Sequence, residues 1–206
     1  LIGVIYEEDF RAFLALVFGL QLSANAATTN WTTKANVERV NRIGKALLAK
    51  NNLPTKINFK VIETDEVNAF ANADKEICVY TGMLKFVQND AELAGVIAHE
   101  IGHIVNNHVA KQNVLGTITA TAIYNANMDS RLKAGANAAN NLTMLKMSRT
   151  EEYEADVTGV DLMTKAGCNP LAMVSVLYKI SGNYADFTST HPSGDKRTMY
   201  IYDYIT

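Results

Sequence analysis

Residues Ala91–Lys111 read AELAGVIAHEIGHIVNNHVAK, and this stretch decides the fold. Apolar side chains at Leu93, Val96, Ile97, Ile101, Ile104 and Val105 recur at helical spacing. The spacing predicts a helix over 91–111 that is buried on most of its surface. Asp90, just before it, is the expected cap. Inside the helix stands His99-Glu100-Ile101-Gly102-His103, the pattern H-E-x-x-H. Residues four apart share a helix face, so both imidazoles can reach one metal ion from the same side. Glu100 is offset from both and can reach a water beside the metal without ligating it. That offset suits a general base in hydrolysis. A surface helix with two titrating histidines is the bland alternative. The apolar flanks disfavour it, because a buried histidine pair without a metal is costly to satisfy.

A catalytic zinc site has three protein ligands and an open fourth position. His108 lies five residues past His103 and, on a continuous helix, points away from the metal face. It is expected at a helix end or on the surface. The third ligand must therefore come from another element. Glu151-Glu152-Tyr153-Glu154-Ala155-Asp156 is the densest acidic cluster. Glu152 and Asp156 are four apart and share a face. Glu152 is the candidate ligand, and Asp156 the candidate acceptor for a ring N–H of a ligand histidine. Glu151 and Glu154 read as a solvated acidic helix start.

Outward from this centre, Val37, Val40, Ile43, Leu47 and Leu48 predict an amphipathic helix over 33–50, stopped at Asn51-Asn52-Leu53-Pro54. Ile57–Ile62 alternates as a strand, and Glu66–Ala71 and Ile77–Tyr80 read as two more around a turn at 73–75. The expected sheet is small and antiparallel. Residues 113–147 are rich in Ala, Asn, Thr and Gly and read as a helix pair or a mobile flap. Ser148 caps a helix that Gly167 ends, Asn169-Pro170 starts another, and a last one follows His191-Pro192.

The chain has 206 residues and 48% hydrophobic content, enough for one domain. Lys+Arg (19) nearly balance Asp+Glu (21), which disfavours a nucleic-acid partner. Ala12–Leu22 is apolar and uncharged, too short to span a bilayer, and followed by Ala24 and Ala26 in an A-x-A arrangement. Residues 1–26 are therefore expected to be a signal peptide or upstream segment, with 27–206 as a single domain. The expected location is the periplasm or outside the cell. It is the cytoplasm if 1–26 is not a leader. Nothing downstream reads as a transmembrane helix, and membrane contact, if any, would be peripheral. Cys78 and Cys168 can pair or remain as free thiols.

Several segments together resemble the M48 family of zinc metallopeptidases. They are Val67–Ala71, Val79–Leu84, Asp90–Glu100, Ser148-Arg149 with Glu152 and Asp156, and Thr190-His191-Pro192 with Arg197. The resemblance covers about 35–205 and is far more specific than H-E-x-x-H alone. It implies a mostly helical α+β, zincin-like domain with a small sheet beside the active-site helix. It implies a metalloendopeptidase holding one Zn2+ through His99, His103 and Glu152, with Glu100 as base and a protein or peptide substrate. Asn68, Ala69, Phe70 and Ala71 correspond to a cleft-lining edge strand that pairs with an extended peptide. His191 would steady the oxyanion, or occupy the open zinc position in a latent state, or simply cap a helix. Arg197 would sit behind the site, beside Asp156. The turn Asn72-Ala73-Asp74-Lys75 departs from the family's Pro-Gly-Gly-like turn. Without the membrane helices and repeat domains of other branches, the chain resembles the small exported branch, with envelope protein quality control as the expected task. A latent zinc-bearing binding or chaperone-like module is the alternative.

Overall fold

The computed structural model describes residues 34–53, 56–136, 147–181, 190–191 and 194–206. The expected leader at 1–26, Pro54, Pro192 and the part of the expected flap at 137–146 lie outside the described residues. Trp31–Thr206 forms one compact unit.

The chain begins with α1 (Lys34–Lys50), which buries Val40, Ile43, Leu47 and Leu48 and ends where Asn52 takes a left-handed φ of 54°. Strands β1 (Asn58–Ile62), β2 (Ala69–Ala71) and β3 (Glu76–Tyr80) follow in the spatial order β1-β3-β2. The sheet is mixed, not antiparallel throughout: β3 runs parallel to β1 and antiparallel to β2. The hairpin is set by Asn72, whose Oδ1 accepts from the backbone N–H of Asp74 and Glu76, and by left-handed Lys75. The segment between β1 and β2 is held by Thr81, whose hydroxyl donates to Thr64 O at 2.7 Å. It carries β2 past β3, so β2 becomes an edge strand. Its predicted start at Glu66 moves to Ala69, because the chain bends where Asn68 N donates to Glu66 O. Cys78 and Cys168 are free, the first buried in β3.

After α2 (Thr81–Phe86), Asn89 caps α3 (Asp90–Val105) by accepting from Glu92 N. The expected cap, Asp90, is instead the first helical residue. Its carboxylate accepts from Arg39 and Arg42 of α1, each at 2.7 Å. Helix α3 also ends earlier than predicted. Asn107 adopts φ 58°, a conformation Asn tolerates, and the chain turns before α4 (His108–Asn125). Past α4, residues 130–136 are helical too, so among the described residues a second helical stretch follows α4, as the helix-pair alternative expects.

Helices α5 (Arg149–Lys165), α6 (Leu171–Ser181) and α7 (Gly194–Ile205) complete the fold. Ser148 caps α5 in a reciprocal box with Glu151, as the sequence suggests. Helix α3 is the centre, packed chiefly on α5 and also on α1, α6 and β2. Its crossing with α5 needs glycine on both sides. A Cβ on Gly102 would lie 2.7 Å from Ala155 O, and one on Gly159 would lie 3.1 Å from His99 N. Glu92 adds a buried polar tie that sequence reasoning missed. It accepts from Ser175 Oγ at 2.9 Å and Lys179 Nζ at 2.6 Å, both on α6.

Candidate metal centre

The i, i+4 spacing on α3 turns His99 and His103 to one side, with their Nε2 atoms 3.0 Å apart. The close crossing of α3 and α5 brings Glu152 against them. Its carboxylate oxygens lie 3.7 Å from His99 Nε2 and 3.4 Å from His103 Nε2. His191, just before α7, completes the group. One ligating atom from each of His99, His103, Glu152 and His191 falls within 4.8 Å of all the others, and all four residues are buried.

These residues fit a metal ion. Both Glu152 oxygens are buried and accept no hydrogen bond among the described residues, although Arg197 Nη1 forms an ion pair with Oε2. Two imidazole Nε2 atoms at 3.0 Å and a carboxylate at 3.4–3.7 Å match the ligand spacing around a small tetrahedral cation. Bonds of about 2.0–2.1 Å separate such ligands by about 3.3 Å.

Behind these side chains stands a charged layer. Asp156 Oδ1 lies 2.9 Å from His99 Nδ1. Arg197 grips the same carboxylate in a fork, Nε to Oδ2 at 2.6 Å and Nη2 to Oδ1 at 2.7 Å. All of this is buried. Burial raises the Asp156 carboxyl, but Arg197 and then His99 pull it well below the usual carboxylate range. Burial likewise opposes the charge on Glu152, and His191 and Arg197 restore it. Arg197 is pushed up by Asp156 and Glu152 against its own desolvation.

Glu100 points elsewhere. Its Oε1 lies 3.4 Å from His191 Nε2 and takes no place among the ligating atoms. Burial pushes its carboxyl up, but His191, with His99 and His103, pulls it down to about 2, so it is a carboxylate at neutral pH. His191 is raised: Glu152 and Glu100 outweigh its desolvation. Its Nδ1 lies 2.8 Å from Thr190 Oγ1.

Glu100 and His191 open onto a cleft of about 380 Å³. Asn68, Phe70 and Ala71 line it, together with Tyr80, Val109 and Met147. The Ala69 side chain does not: it is wholly buried. Phe70 and Tyr80 meet edge to face at 5.9 Å. Among the described residues β2 is an edge strand, and it flanks the cleft beside Glu100.

His108 departs from expectation. It does stand at a helix end, as the first residue of α4, but it is fully buried rather than on the surface. Its Nδ1 is 2.9 Å from His103 Nδ1, and its Nε2 is 2.9 Å from Glu154 Oε2. Glu154 is therefore not merely a solvated helix-start residue. The surface alternative failed because it rotated His108 along an unbroken helix. The two consecutive asparagines at 106–107 were the signal that the helix breaks there.

The sequence model of peptidase family M48 matches residues 34–204. The mitochondrial metalloendopeptidase OMA1 of Arabidopsis thaliana is 38% identical over 155 residues, 70% of this chain and 31% of that protein. The beta-barrel assembly-enhancing protease of Yersinia pestis is 28% identical over 216 aligned positions, 95% of this chain and 41% of the relative. The metalloprotease LoiP of Escherichia coli (strain K12) is 31% identical over 218, 95% of this chain and 84% of the relative. The chain thus spans 31% and 41% of the lengths of OMA1 and the Yersinia protease. With a family match across most of its length and a buried His/Glu cluster at its centre, the chain belongs to peptidase family M48.

Proposed function

We propose that this chain is a zinc-dependent endopeptidase in which His99, His103 and Glu152 hold the metal and Glu100 is the general base. The observation that carries this reading is the separation of roles at the cluster. Three buried donors converge, one of them a carboxylate that accepts no hydrogen bond among the described residues, while Glu100 stays off the ligand set and faces the cleft. Imidazole and carboxylate donors at tetrahedral spacing favour zinc over the harder cations. Zinc held there supplies Lewis-acid polarisation and acidifies water toward a pKa of about 7.

The protein's own groups do the rest. An extended substrate adds to the free edge of β2, its backbone pairing along Asn68–Ala71 and its side chains entering the wall of Phe70, Tyr80 and Val109. Glu100 takes a proton from the attacking water and returns it to the leaving amine. His191 donates from Nε2 to the oxyanion as the carbonyl becomes tetrahedral. Asp156, held in the Arg197 fork, keeps His99 in the tautomer that leaves Nε2 free for the metal.

A second reading is favoured by His191 lying within the cluster of ligating atoms. There it would serve as a fourth zinc ligand and hold the protein latent until substrate or a partner displaced it. His191→Ala separates the two: faster cleavage supports latency, slower cleavage supports the oxyanion role.

The envelope is the proposed location and protein quality control the proposed task. They are supported by the apolar Ala12–Leu22 stretch and by likeness to the beta-barrel assembly-enhancing protease. Among the described residues no helix is long and apolar enough to cross a membrane.

Metal content and casein cleavage, measured for wild type and Glu100→Gln together, test the central reading. The expected result is one zinc per chain in both, with cleavage lower by about 10²–10⁴-fold in the variant. Undiminished cleavage by Glu100→Gln would remove the base assignment, and absence of zinc in both would remove the metal centre.

A further inference from the structure

We propose that His108 and Glu154 form a relay that orients His103 and fixes its tautomer. The inference deepens the zinc reading and rests on it. An imidazole that gives Nε2 to a metal keeps its proton on Nδ1, and that N–H needs an acceptor. For His99 the group beside Nδ1 is a carboxylate, with Asp156 Oδ1 at 2.9 Å. For His103 the neighbour at 2.9 Å is another imidazole nitrogen, Nδ1 of His108. Two ring nitrogens can bond only if one carries the proton and the other does not.

The far side of His108 decides which. Its Nε2 lies 2.9 Å from Glu154 Oε2, and an ionised carboxylate only accepts. Nε2 of His108 therefore carries the hydrogen, and in neutral His108 Nδ1 is bare. It accepts from His103 Nδ1–H, which leaves the His103 Nε2 lone pair facing His99 and Glu152. Protonation is set from the outside inward.

The position of His108 is itself built. The left-handed Asn107 reverses the chain, and Asn106 Nδ2 donates to Thr158 Oγ1 at 2.9 Å, fastening the break to α5. Glu154 belongs to that same helix. Both histidines are fully buried, whereas the Glu154 side chain is 54% exposed. The two ligand histidines thus have unlike supports. One rests on a buried carboxylate clamped by Arg197, the other on a relay that ends at the surface.

Zinc affinity, measured on the full chain by competition with a chromophoric chelator, tests the relay in wild type, Glu154→Ala, His108→Ala and the double variant. Melting of the metal-free forms reports folding. The expected loss for His108→Ala is about 10–100-fold. Glu154→Ala loses less, and the double variant loses no more than His108→Ala, because Glu154 acts only through His108. If His108→Ala does not fold, the exposed Glu154→Ala and histidine ¹⁵N NMR of zinc-loaded wild type carry the decision. The expected spectrum has the proton on Nδ1 of His103 and Nε2 of His108. Unchanged affinity in the variants, additive losses, or a proton on Nδ1 of His108 would overturn the relay. A wild type that binds no zinc would overturn the metal centre itself, and the relay with it.

Discussion

Helices α3 and α4 follow one another with only Asn106 and Asn107 between them, and both are rich in apolar residues. Their fates differ. From Glu92 to His103 every residue of α3 is buried, whereas α4 buries only His108. Val114, Leu115, Ile118 and Tyr124 of α4 are all more than half exposed. Apolar content does not explain the contrast. In α4 the large apolar residues are spread around the helix, so no single stripe can be buried at once. In α3, Gly95 and Gly102 let neighbouring helices approach on different sides. A side chain on α3 is therefore fixed from several directions, which suits the role proposed for His99 and His103 as ligands held within fractions of an ångström. Helix α4 contributes its first residue to that framework and Val109, Gln112 and Asn113 to the cleft.

The strongest way to break the α3 framework is to remove the cation behind it. Arg197→Met leaves Asp156 and Glu152 buried without their partner and should cost about 3–5 kcal/mol in urea denaturation of the metal-free protein. A loss below about 1 kcal/mol would mean that the fork is not what offsets those charges. Next comes the helix crossing. Gly102→Ala pushes a methyl toward Ala155 O and should cost about 1–3 kcal/mol by thermal melting, and on the proposed ligand set it should also weaken zinc binding as Glu152 moves away.

A smaller effect is expected at the start of α3. The Arg42 and Arg39 guanidiniums hold the Asp90 carboxyl below its ordinary value. Its contribution is therefore present above the unfolded pKa of about 3.9 and lost as pH falls through the lower folded value. The Asp90 side chain is 52% exposed, so solvent and salt screen the pair. Asp90→Asn should cost no more than about 1 kcal/mol at pH 7, and the difference from wild type should vanish in acid. A difference that persists at low pH would point to packing rather than charge. The smallest effect belongs to α4: Ile118→Ser should change stability by no more than about 0.5 kcal/mol. A larger loss would show that something covers that face.

The parts of this molecule that were legible in the sequence are those fixed within a few residues of chain. Helix α5, its Ser148 cap and its end at Gly167 follow from local signals, as does the turn between β2 and β3. The direction of β1 was not legible, because hydrophobic alternation reports a face and says nothing about which neighbour pairs or which way it runs. Asn89 displaced Asp90 as the cap because both residue types serve that role and one step in the chain decides between them.

The sequence by itself determined that His99 and His103 share a face and that Glu100 is offset from it. Helix geometry imposes this over four residues, wherever the helix packs. The sequence offered Glu152 and Asp156 as candidates, but only the tertiary structure brought them against those imidazoles and let Arg197 bridge the two. Only it turned His108 inward against His103. These encounters depend on the α3–α5 approach that two glycines permit and on the chain reversal at Asn107. Local periodicity carries no information about either, because each is settled by packing between segments distant in the chain.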